Sequence, residues 1–129
     1  MDHKMFCFQC EQTAGCTGCT GKAGVCGKTA DVAELQDELT GALIGLARAT
    51  DGDTPVNADT WRLMIEGLFT TVTNVNFNGG TIRTLIDRVH GEKARLVPDC
   101  AVCASACCPS AASGTVPCVC SFVSPSRML

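Results

Sequence analysis

Cysteine makes up 11 of the 129 residues, and its distribution constrains this chain more than any other feature. Cys7, Cys10, Cys16, Cys19 and Cys26 open the sequence; Cys100, Cys103, Cys107, Cys108, Cys118 and Cys120 close it; none lies between. Such a density points to a disulfide scaffold or to thiolates that ligate metal. Asp2 and Lys4 place charge in the N-terminus, and no apolar stretch of signal-peptide length follows. An odd count also leaves one thiol unpaired in any complete set of disulfides. The expectation is a cytoplasmic chain whose cysteines are reduced and available to metal.

The length allows one small domain, divided by composition into three segments: a Cys/Gly-rich loop over 1–29, helices over 30–98 and an irregular tail over 99–129. Lys and Arg number 10 against 13 Asp and Glu, a net charge of −3, which argues against a nucleic-acid binder that works by phosphate neutralisation. No segment has the roughly 20 mainly apolar residues of a membrane span, so no membrane partner is expected.

The middle segment reads as helix throughout. Val32, Leu35, Leu39, Leu43 and Leu46 recur at steps of three and four and predict a helix from Asp31 to about Thr50. Thr29 or Asp31 is placed to cap it, and Glu34 and Asp37 suit its positive end. Gly41 and Gly45 share one side; each costs about 1 kcal/mol of helix stability relative to Ala, which suggests a neighbour packed closely there. A second helix is predicted from Asn57 or Asp59, with Trp61, Met64, Ile65, Leu68, Phe69 and Val72 as its core stripe. Asn74 to Gly80 reads as a turn ending in Gly-Gly. A third helix carries Ile82, Leu85, Ile86 and Val89 and is predicted to stop at His90-Gly91. The fold class expected is all-α, a three-helix up-and-down bundle behind the N-terminal loop.

The loop holds the chemistry. Cys7, Cys10, Cys19 and Cys26 have the spacing C-x2-C-x8-C-x6-C, with Cys16 as a fifth candidate. Two residues between Cys7 and Cys10 let one tight turn aim both sulfurs at a common centre. Gly15, Gly18, Gly21, Gly24 and Gly27 recur every third residue, allowing positive φ and close approach of backbone N–H groups to thiolates. Lys22 and Lys28 add positive charge, which favours thiolate over thiol. Structural zinc usually takes two close cysteine pairs, and Cys16–Cys19 is available as a second one. Iron–sulfur clusters accept unequal spacing because their ligands reach different irons. Spacing therefore favours an iron–sulfur cluster and leaves zinc and disulfides open. His3 and His90 have no partners in sequence that suggest catalysis or ligation, and no catalytic residue is assigned.

The string MFCFQCEQTAGCTGCTGKAGVCGKT from Met5 to Thr29 resembles the N-terminus of the hybrid cluster proteins, also called prismane proteins or hydroxylamine reductases. The likeness continues at Leu35-Gln36-Asp37 and through GLFTTVTNVNFN from Gly67 to Asn78, covering about residues 5–98. The resemblance implies that Cys7, Cys10, Cys19 and Cys26 ligate the N-terminal cluster, with Cys16 left out. It implies [4Fe–4S] rather than [2Fe–2S], from the shorter gap between the second and third cysteines. It also implies a helical first domain and a redox partner protein as electron donor. In the family this cluster feeds a hybrid iron–sulfur–oxygen centre that reduces hydroxylamine to ammonia and water. The His, Glu and Cys ligands of that centre come from downstream domains this chain lacks. It is therefore expected to be an N-terminal electron-transfer segment without a hybrid cluster and inactive alone. The alternative, from another class, is a small interaction module stapled by zinc.

The tail departs from the family. DCAVCASACC from Asp99 to Cys108 begins like a further family segment, but Ala101 to Ser126 carries no charged residue and no helical or strand period. The second cysteine group is read as abundance rather than a ligand set. A shift of reading frame near Cys107 accounts for both the start and the fading of the likeness; the coding DNA tests it.

Overall fold

The computed structural model describes residues 5–51, 54–72 and 76–97. The tail, with its cysteines and the proposed frame shift, lies outside the described residues, as does His3. Three helices follow the loop: α1 (Ala30–Ala49), α2 (Ala58–Thr71) and α3 (Gly79–Leu96). No strand occurs among the described residues; the loop holds only a 3₁₀ turn at Ala14–Cys16 and two isolated backbone pairings. The chain is all-α.

The core sits between α1 and its two neighbours. Val32, Leu35, Leu39, Leu43 and Leu46 are all buried, as their period predicts, and meet Leu63 of α2 and Ile82, Leu85, Ile86, Val89 and Leu96 of α3. Gly45 is buried against α3, where a Cβ would make an ordinary van der Waals contact of 3.5 Å with Lys93 Nζ. Thr29 occupies the N-cap of α1 without a side-chain bond to the helix, so only its backbone shapes that end.

α2 reverses the expected face. Its buried residues are Thr60, Leu63, Gly67 and Thr70, whereas Trp61, Ile65, Leu68, Phe69 and Val72 are exposed; Met64 alone of the predicted stripe packs partly against the core. The reason is proximity. A Cβ on Gly67 would come within 2.7 Å of Leu43 Cδ2, so α1 approaches α2 at the one position with no side chain. The threonines tolerate burial because their hydroxyls are satisfied: Thr70 donates to the Glu66 carbonyl at 2.8 Å, and Thr60 donates to the Glu92 carboxylate. Asn57 caps the helix, its Oδ1 accepting from the Thr60 N–H at 2.9 Å.

α3 differs from expectation at both ends. Gly79 and Gly80 are its first residues rather than the end of a turn, and Asn78 is the cap, accepting from the Thr81 N–H at 3.1 Å. It also runs through His90 and Gly91 to Leu96. One glycine does not end a helix whose next turn is anchored, and here Lys93 and Leu96 are buried. Arg95 forks onto Glu92 at 2.7–3.2 Å and holds that carboxyl below the usual range, helped by the Thr60 hydroxyl and opposed by partial burial. Arg88 of α3 pairs with Glu66 of α2 at 2.8 Å, tying the two helices at the surface.

Candidate metal centre

The loop is laid onto the N-terminal half of α1. Met5 and Cys19 are buried against Ala33 in a second, smaller core. Cys7 and Cys19 pair through their backbones, N–H to carbonyl, at 3.1 and 2.8 Å. Ala23 and Thr29 form a second isolated bridge, flanked by the Gly24 N–H donating to the Lys28 carbonyl at 2.8 Å. The period-three glycines are used unequally. Gly18 (φ +116°) and Gly27 (φ +85°) need conformations that L residues rarely adopt, and a Cβ on Gly18 would sit 3.0 Å from the Phe6 ring.

Of the four predicted ligands, Cys19 is buried and Cys7, Cys10 and Cys26 are half-buried, while Cys16 is exposed and itself has positive φ. None of the five is in a disulfide. The fold brings Cys7 and Cys19 together as neighbours, but no three Cys, His, Asp or Glu side chains among the described residues converge as a metal-ligand group. What the loop does supply is positive potential at sulfur. Backbone N–H groups of Val25 and Ala14 point at Cys19, lowering its thiol pKa; the Lys28 charge adds to this, and burial opposes it. N–H donors at a sulfur, a glycine-shaped loop and a pure thiol donor set fit a thiolate-ligated iron–sulfur group or zinc, both of which require deprotonated cysteines.

Lys28 is 1% exposed. Its Nζ donates to Gln9 Oε1 at 2.7 Å and to Cys7 Sγ at 3.7 Å, and it lies 6.0 Å from the centre of the Phe77 ring. The Gln9 Nε2 donates in turn to Asp37 Oδ1 of α1 at 3.4 Å. Burial pushes the Asp37 carboxyl up, opposed by the Gln9 amide and the Lys28 charge. One residue earlier, Gln36 is fully buried, and its Nε2 donates to the Asn76 carbonyl at 3.1 Å. Contacts thus join the three stretches that carry the family resemblance: the loop, Gln36-Asp37 and Asn76-Phe77.

Sequence reasoning placed Lys28 near the cysteines but could not separate it from Lys22, which is exposed. It missed Met5, Gln9 and Asp37 as parts of the site. Gln9 and Asp37 stand 28 residues apart, and neither has a local pattern that announces the other.

Comparison with known proteins identifies the family. The model of the Prismane/CO dehydrogenase family matches residues 5–115, beyond Pro98. Hydroxylamine reductase of Syntrophobacter fumaroxidans is 53% identical over 71% of this chain, that of Clostridium perfringens 52% over 57%, and that of Solidesulfovibrio magneticus 40% over 71%. Those alignments take up 17%, 14% and 18% of the relatives, so the chain spans less than a fifth of the proteins it resembles. With the cysteine spacing, the helical bundle and the family match all in agreement, the chain belongs to the Prismane/CO dehydrogenase family.

Proposed function

We propose that this chain is the cluster-binding, electron-transfer segment of an iron–sulfur oxidoreductase of the hydroxylamine reductase type. Cys7, Cys10, Cys19 and Cys26 hold a [4Fe–4S] cluster, and a redox partner protein supplies the electrons. Once bound, such a cluster supplies reversible one-electron transfer. The protein's own part is to bind and shield it. Backbone N–H groups stabilise the Cys19 thiolate, and Met5 and Ala33 exclude water on the α1 side.

The observation that carries the reading is the backbone pairing of Cys7 with Cys19 in a glycine-shaped loop, with the Lys28 Nζ 3.7 Å from Cys7 Sγ. The same arrangement suits zinc thiolates, so the choice between the two groups rests on the family. Family membership supports an iron–sulfur group over zinc. The cytoplasm, where thiols stay reduced, suits this chemistry; among the described residues no helix is long and apolar enough to cross a membrane.

Anaerobic expression followed by iron, sulfide and zinc analysis tests the proposal. About four irons and four sulfides per chain, with a broad visible band that bleaches on reduction, are expected for a cubane cluster. Zinc without iron overturns the reading. No hydroxylamine turnover is expected from this segment alone.

A further inference from the structure

We infer that Lys28 is a positioning residue for the cluster: its buried ammonium, gripped by Gln9 and facing Cys7, raises the reduction potential of whatever iron–sulfur group the cysteines hold. This rests on the cluster reading above and adds to it a residue outside the ligand set.

The argument begins with cost. Removing an ammonium from water costs several kcal/mol even after the protein relaxes, and Lys28 is 1% exposed. A buried lysine normally recovers that cost from a carboxylate. Among the described residues no carboxylate lies within ion-pair distance of it; Arg62–Asp59, Arg88–Glu66 and Arg95–Glu92 pair elsewhere. Its partners are the neutral Gln9 carbonyl, the Phe77 ring and the Cys7 sulfur. Only the sulfur is able to carry a full negative charge. Asp37 helps at one remove, fixing the Gln9 amide so that its oxygen faces Lys28. The chain Asp37–Gln9–Lys28–Cys7 ties the cation to α1 and presents it to a candidate ligand.

A fixed cation acts on a redox centre in one direction. Four thiolates outweigh the charge of the metal–sulfur core, so the group is anionic, and one added electron makes it more so with no bond formed or broken. Positive charge nearby stabilises the reduced state more than the oxidised state. In a site shielded from solvent this attraction is weakly screened.

The experiment is a mediated dithionite titration of the anaerobically prepared full chain, followed by visible absorbance and by the electron paramagnetic resonance of the reduced cluster. Lys28→Met removes the charge at similar volume. Gln9→Glu keeps the lysine but gives it a carboxylate, cancelling its charge at the site. Both are expected to lower the midpoint by at least about 59 mV, a tenfold change in the reduced-to-oxidised ratio for one electron. Lys28→Arg, which keeps the charge, is expected to stay closer to the wild-type midpoint than either. If Lys28→Met does not fold or load, Gln9→Glu decides. A wild-type chain without iron overturns the cluster reading and this inference together. An iron-loaded wild type whose neutralised variants keep its midpoint overturns the inference alone.

Discussion

α1 and α2 are both amphipathic, and they are used in opposite ways. Along α1 the leucine stripe is buried to the last residue: Leu39 and Leu46 are 0% exposed. Along α2 the large apolar residues face outward, with Ile65 at 68% and Phe69 at 63%, while the narrow stripe of Thr60, Leu63, Gly67 and Thr70 faces the bundle. The contrast separates two kinds of information in hydrophobic periodicity. Steps of three and four state that a segment is helical. They do not state which face the neighbours take when a second stripe of small residues runs beside the large one. Close approach is won by the residue that occupies least space, and on α2 that is Gly67. The large stripe remains as an exposed apolar surface.

The comparison is broken most forcefully at Leu39. Leu39→Ala is expected to destabilise the chain by about 2–5 kcal/mol in denaturant unfolding, because the site is fully enclosed and cannot collapse around the void. Two glycines then sharpen it. Gly67→Ala forces a methyl toward the Leu43 side chain, whose position in the core limits its retreat, and is expected to cost about 1 kcal/mol net of the gain in helix propensity. Gly91→Ala meets nothing within 4 Å and is expected to gain up to about 1 kcal/mol, a change of opposite sign in the same assay. The smallest effect belongs to the outward stripe. Ile65→Gln is expected to change stability by no more than about 0.5 kcal/mol and to improve solubility; a loss comparable to that of Leu39→Ala would mean that the α2 face is covered after all.

Much of this was legible along the chain. The existence of three helices and the core stripe of α1 follow from period, and Asn57, one of the two starts the sequence offered for α2, caps it; Thr29 takes the N-cap position of α1 but its side chain makes no cap bond. The end of α3 was not, because the pull of Lys93 and Leu96 on the next turn outweighs the small penalty of Gly91. At the candidate site, the cysteine spacing and the glycine period are local patterns, and they point to thiolate chemistry without reference to the fold.

What the sequence by itself determined is therefore what neighbouring residues decide together: helical period, capping and a set of cysteines whose spacing suits a metal. What only the tertiary structure decided are the partnerships across distance. Nothing local distinguishes Lys28 from Lys22, yet one is exposed and the other is enclosed between Gln9, Cys7 and Phe77. The same holds for Gly67 against Leu43 and for Gln9 against Asp37. The physical reason is that burial, and with it the strength of a charge, belongs to what surrounds a side chain. That environment exists only once α1, α2 and the loop have packed.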